Sequence, residues 1–222
     1  MALAGVDGCR GQWLAAVSDG AEVSWRLVPK FRELYDDPAL TVISIDVPIG
    51  LPESGRRACD VAARERLGRR RSSVFAAPVR PVLDSATYAK ARAVLASAGG
   101  PSMSAQAFGI VRAVRDVDDC VGPDDDDRVV ETHPELAFLL LSGQPELAAK
   151  KSTAGLAARL RALSRWRPDV LAVLERVPAG VAVDDALACL WVAERWAAGE
   201  RRTLGDGGRD VRNLPMRICP AP

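Results

Sequence analysis

The sequence predicts an α/β protein built on a mixed sheet whose first three strands are antiparallel. Two apolar runs, LAGVDG and TVISIDVP, have the length and composition of buried strands and end on Asp7 and Asp46. Between them, QWLAAVS and AEVSWRLVP complete an antiparallel meander, with Asp19-Gly20 as the hairpin signal. A further run, RVVETH, delivers Glu131 and passes directly into a helical pattern.

The elements follow in order. In the third strand Val23, Trp25 and Leu27 alternate with outward positions, as a half-buried strand requires. KFRELYDD then reads as a short helix, so TVISIDVP is reached by a crossover and can lie parallel to the first strand. Gly5, Gly8 and Gly11 suggest a dinucleotide-binding loop, but that fingerprint needs a helix immediately after it, and here a strand follows.

From residue 51 to residue 127 the pattern turns to helix and loop, which predicts a helical insertion within one domain spanning 1–222. SGRRACDVAARERLG and YAKARAVLAS read as helices, with RRRSSVFAAPVRP as a basic loop between them. SAQAFGIVRAVRDVDDC reads as one helix, with Phe108, Val111, Val114 and Val117 at helical spacing and Ser104 as its cap. Asp124 to Asp127 read as a solvated acidic loop. After the fifth strand, Pro134 suits a first helical turn. STAGLAARLRALSRW, PDVLAVLERV and DDALACLWVAERWAAGE are the remaining helices, and NLPMRIC is a candidate terminal strand.

A chain of 222 residues can bury roughly 70% of its unfolded surface in one core. Its net charge of +1 and pI near 7.6 exclude a global basic field, so any nucleic-acid partner must be met by local patches. The five cysteines are scattered without CxxC spacing, against both a disulfide framework and a structural zinc site. No stretch approaches the roughly 18 apolar residues of a membrane span, and the expected setting is the reducing cytoplasm.

Carboxylates brought to one sheet edge from distant segments are what a hard divalent cation such as Mg²⁺ or Mn²⁺ needs, because such ions take oxygen ligands. Asp7, Asp46 and Glu131 end strands, and Asp184 and Asp185 open the last clear helix. Taken singly, Asp-Gly is a turn and an acid in a first helical turn complements the dipole. His133, the one histidine, stands two residues after Glu131 and is a candidate general base or a capping residue before proline. Arg69, Arg70, Arg71, Ser72 and Ser73 could all contact phosphate, as could Arg10 in the first turn and Lys150 and Lys151 at a helix start. Phe75 could stack on a base or belong to the core.

GVDGCRGQW, IDVPIGLP, CDVAARERLGRRRSSVF, ETHPELAF, the KKS run and DDALACLWVA together resemble an uncharacterised bacterial family of predicted RNase H-like nucleases carried as a domain of unknown function. The resemblance covers Gly5 to about Trp196. It implies an RNase H-like fold with a five-stranded mixed sheet flanked by helices. It also implies metal-binding acids on the first strand, the fourth strand and the last helix, which fall on Asp7, Asp46 and Asp185 or Asp184, with Glu131 as an additional acid. The implied reaction is metal-assisted hydrolysis of a phosphodiester in nucleic acid, with Asp7, Asp46, Glu131 and Asp185 as metal ligands, and resolvase-type action would favour a homodimer. Sugar kinases and actin-like ATPases share the opening strands but need a second meander after residue 128, where helices are read instead. The alternatives are a non-catalytic nucleic-acid or protein-binding module and a phosphoesterase for a small phosphorylated metabolite.

Overall fold

The computed structural model describes residues 1–178 and 183–220. At its centre is a five-stranded mixed sheet made of β1 (Ala2–Cys9), β2 (Gln12–Ser18), β3 (Val23–Val28), β4 (Leu40–Ile45) and β5 (Val129–Glu131). The strand order is β3-β2-β1-β4-β5. The first three strands are antiparallel, while β4 and β5 run parallel to β1, after a crossover through α1 (Arg32–Tyr35). Arg10 and Gly11 form the two-residue turn between β1 and β2, with φ of 51° and 81°, the left-handed pair that matches strand twist in a tight hairpin.

Alternation along the strands separates two cores. On one face Leu14, Ala16, Val42 and Val130 pack under α2 (Ala58–Leu67), α6 (Pro134–Ser142), α7 (Thr153–Trp166), α8 (Val170–Glu175) and α9 (Asp184–Ala197). On the other, Val6, Ala15, Ile43, Ile45 and Val129 meet α1 and α5 (Val111–Asp118). A smaller cluster gathers Val82, Ala91, Leu95 and Val111, which joins α3 (Tyr88–Ser97) to α5. The segment between β4 and β5 is thus helical.

Gly5 explains how α9 comes so near the sheet. A Cβ there would lie 2.0 Å from the Leu190 amide nitrogen and 2.2 Å from the Ala186 carbonyl oxygen. Only glycine lets the helix backbone settle directly on β1.

Four local expectations are corrected. The basic stretch after α2 is not an open loop, because Gly68–Ser73 and Arg80–Asp84 wind into 3₁₀ turns. The helix over 104–120 is two helices, α4 (Ala105–Gly109) and α5, parted at Ile110 after the weak helix former Gly109; Ser104 caps the first by accepting from the Ala107 amide. The acids at 125–127 are not merely solvated: Asp125 accepts from the Tyr35 hydroxyl at 2.8 Å, Asp127 pairs with Arg201, and Asp126 with Arg209. NLPMRIC adds no sheet strand among the described residues; it makes isolated bridges such as Leu204 with Ile218. The Cys219 amide then donates to the Glu131 carbonyl at 2.8 Å, which seals the end of β5.

Candidate functional site

Register carries three acids to one edge of the sheet. Val6 pairs with Ile45 and Ile45 with Glu131, so Asp7, Asp46 and Glu131 stand at the C-terminal ends of β1, β4 and β5. The Asp46 amide donates to the Val6 carbonyl at 3.1 Å. Side-chain alternation then divides them. Asp7 follows Gly5 on the α9 face, and Asp46 follows Ser44 there. Glu131 is level with Ile45 and falls on the opposite face. The β5 position that matches Asp46 is Thr132, whose hydroxyl lies 2.7 Å from that of Ser44.

Asp7, Asp46 and Asp185 share one poorly solvated volume. Burial, followed by repulsion from Asp185, pushes the Asp7 carboxyl up to about 7. Burial and the charges of Asp7 and Asp185 drive Asp46 well above the ordinary carboxylate range. Asp185 is raised by burial and then by Asp184. One turn along α9, the buried Cys189 thiol is also pushed up, first by burial and then by Asp46 and Asp7. Such shifts reflect how unfavourable several ionised carboxylates are together in a poorly solvated volume.

Lys150 supplies one positive charge. Its Nζ lies 2.5 Å from Asp185 Oδ2 and 3.1 Å from Asp184 Oδ2. Although burial works against its charge, these two carboxylates hold it above the ordinary lysine value. The KKS run therefore places Lys150 on the acids at the start of α9, while Lys151 is exposed and Ser152 caps α7 by accepting from the Gly155 amide.

Glu131 has a different employment. Its Oε2 accepts from Arg57 Nη1 at 2.6 Å and the Ile49 amide at 2.8 Å, and its Oε1 accepts from Arg57 Nη2 at 2.7 Å. Arg57 also donates to Asp60 Oδ1 at 2.5 Å and to the Ile49 carbonyl at 3.0 Å. Asp60 Oδ2 in turn accepts from the Ala77 amide. This buried clasp ties β5, the loop after β4 and the start of α2 together. The sequence reading passed over both Arg57 and Asp60, and nothing in the Arg56-Arg57 pair distinguishes its buried member from its exposed one.

A pocket of ≈ 230 Å³ opens over this edge, with Asp7, Asp46, Glu131, His133, Ser73 and Phe75 in its lining. His133 Nε2 lies 3.3 Å from the Ser73 carbonyl oxygen. A carbonyl can only accept, so Nε2 carries the proton and the lone pair resides on Nδ1. That Nδ1 is buried and has no partner among the described residues. Burial lowers the imidazole's affinity for a second proton, so the ring is neutral near pH 7.

The basic residues are dispersed. Arg69 pairs with Glu146 and Arg70 with Glu135, each at 3.6 Å. Arg71 is exposed beside Arg56 and Arg64, and Ser72 lines the neighbouring cleft. Ser73 Oγ donates to the Arg70 carbonyl, and Arg10 lines a cavity on the far side of Trp13.

As donors, the three half-buried carboxylates Asp7, Asp46 and Asp185 suit a hard divalent cation in chemistry and in their unfavourable mutual charge. In the arrangement adopted, no group of three or more His, Cys, Asp or Glu among the described residues is placed to hold an ion together. All five cysteines are free thiols. No described helix is long and apolar enough to cross a membrane.

Fold and site define an α/β protein with an acidic pocket at the C-terminal edge of its parallel strands. The chain belongs to a family of proteins of unknown function, DUF429, whose model matches residues 5–208. Neither a curated protein nor a solved structure matches it.

Proposed function

We propose that this chain is a divalent-metal-dependent phosphodiesterase of RNase H-like fold that acts as a nuclease. The observation that carries the reading is the convergence of three half-buried carboxylates, Asp7 and Asp46 at the ends of the paired strands β1 and β4 and Asp185 at the start of α9, which packs directly on β1 at Gly5. The strand order, with three antiparallel strands followed by two parallel ones, supports the fold assignment by analogy.

Drawn closer together than they stand here, Asp7, Asp46 and Asp185 would hold Mg²⁺ or Mn²⁺. When bound, such an ion polarises a phosphoryl oxygen and lowers the pKa of water. Glu131, with both oxygens engaged, supports the pocket floor through Arg57. Asp184 shares Lys150 with Asp185 and thereby orients it. The Nε2 bond of His133 to the Ser73 carbonyl fixes the tautomer whose Nδ1, buried and without a partner among the described residues, would serve as the base once water reaches it.

The test is cleavage of labelled single-stranded RNA, RNA–DNA hybrid, duplex DNA and branched DNA in Mn²⁺ or Mg²⁺, with bis(p-nitrophenyl) phosphate as a minimal diester. Wild-type protein cleaves at least one, and Asp7→Asn does not. Equal cleavage by both proteins, or none by either, removes the reading.

A second reading, a binding module without turnover, is favoured by Lys150, which already offers Asp184 and Asp185 a cation. Calorimetric titration with Mn²⁺ separates the two: a module of that kind shows no carboxylate-dependent binding.

A further inference from the structure

We propose that the acidic pocket lies on a path for a single-stranded polynucleotide, with basic clefts on two of its walls holding the phosphates on either side of the bond to be cut. This rests on the phosphodiesterase reading and specifies its substrate class. Through Gly8, Trp13, Ile110 and Ala113 the acidic pocket adjoins a second cavity of ≈ 230 Å³. Arg10, Lys30 and Arg112 line that cavity. Its one acid, Asp116, is already engaged, accepting from Trp13 Nε1 and the Phe31 amide at 2.8 Å and from Lys30 at 3.2 Å.

Another wall, formed by Val74 and Phe75, adjoins a third cavity of ≈ 350 Å³. Arg56, Arg64 and Ser72 line it, and its lining contains no acid. Arg64 is held there by donating to the Val74 carbonyl at 2.7 Å.

The sequence of charge is therefore basic, acidic, basic. A small phosphorylated metabolite has use for one anion subsite beside the reacting phosphate, whereas a polynucleotide presents phosphates in both directions. Phe75, 39% exposed although large and apolar, stands where the acidic pocket meets the third cavity. A ring so placed offers a face to an unpaired base, a mode open to a single strand and closed to a stacked duplex.

The test measures fluorescence anisotropy of labelled oligothymidylates and oligouridylates from about 2 to about 16 nucleotides in Ca²⁺, with a duplex of matching length alongside. Affinity rises with length until both clefts are spanned. Arg112→Glu and Arg56→Glu each weaken binding of the long oligomer about tenfold and flatten the salt dependence by about one ion. Arg165→Glu, the same charge change at an exposed residue of α7 that lines none of these cavities, has no effect. Binding independent of length, an equal loss in Arg165→Glu, or equal affinity for duplex overturns the path. Length-dependent binding without hydrolysis in Mn²⁺ keeps the path and removes the phosphodiesterase reading, and hydrolysis of bis(p-nitrophenyl) phosphate without length-dependent binding does the reverse. The DNA and RNA arms show which sugar is preferred.

Discussion

Arg57 and Glu131 meet in a two-pronged ion pair at the floor of the acidic pocket, with Nη1 2.6 Å from Oε2 and Nη2 2.7 Å from Oε1. Arg57 is 2% exposed, so these partners offset the cost of burying its charge. Glu131→Leu leaves the guanidinium with Asp60 as its one carboxylate partner and is expected to cost about 3–5 kcal/mol of stability, the usual penalty for breaking a buried pair from one side. Urea denaturation checks this. A loss below about 1 kcal/mol would mean that the clasp does not hold the pocket floor.

Asp7 makes stability depend on pH with a defined sign. Its folded-state value, about 7, lies above that of an unfolded aspartate near 4. Between the two the native state retains a proton that the unfolded chain has released, so stability falls as pH rises through this window. Asp7→Asn is therefore expected to gain about 1–3 kcal/mol over wild type near pH 8, raising Tm by about 2–4 °C per kcal/mol, and to gain nothing near pH 4. Thermal melts across pH, without divalent metal, decide it. A gain of equal size at both ends would show that charge is not its cause.

Lys150→Met removes the cation that Asp184 and Asp185 share. The expected outcomes are a loss of about 1–2 kcal/mol in chelator and tighter Mn²⁺ binding, since the carboxylates then lack their internal counter-charge. Calorimetric titration and melts with and without Mn²⁺ measure both. Weaker Mn²⁺ binding in the variant would instead make Lys150 an organiser of the site.

On the phosphodiesterase reading, His133→Gln is expected to lower the hydrolysis rate about 10²-fold, within the usual range for general-base catalysis, and to abolish the acid limb of the pH–rate profile. A variant that slows the reaction but retains that limb would limit His133 to positioning. In stability, burial lowers the folded imidazole's pKa, so its contribution is present above the unfolded value near 6.5 and declines as pH falls below it.

Gly5→Ala tests the seating of α9. The added methyl would meet Leu190 N at 2.0 Å and Ala186 O at 2.2 Å, backbone atoms that cannot rotate aside. A loss of at least about 3 kcal/mol is expected, with a parallel loss of Mn²⁺ affinity as Asp185 moves away from Asp7. A change below 1 kcal/mol in chemical denaturation would refute the close contact.

Asp7 and Asp46 were legible in the sequence because each closes an apolar run, and strand ends are visible in hydrophobic patterning. Glu131 closes a similar run, but its pairing with Ile45 rather than with Asp46 turns its side chain to the other face of the sheet. A shift of one residue in register reverses the face, and register is a property of two strands that neither segment records alone. Helix geometry could not choose between Asp184 and Asp185; the charges around Asp7 and Asp46 favour Asp185. The glycine run looked like a loop motif, yet Gly5 serves an approach by a helix some 180 residues later in the chain. Arg57 and Arg56 are indistinguishable in sequence because burial of a charge depends on its partners, here the distant Glu131 together with the neighbouring Asp60.

The contact of α9 with β1 also sets when the site comes into being during synthesis. Strands β1 and β4 emerge early from the ribosome and bring Asp7 and Asp46 with them, but Asp185 and the helix that covers Gly5 arrive only after every strand of the sheet has been made. A nascent chain that reaches residue 178 contains every strand and two of the three acids, Asp7 and Asp46, but not Asp185. The set of three acids is thus completed by the last helix, and a chain stalled before α9 carries an unfinished one.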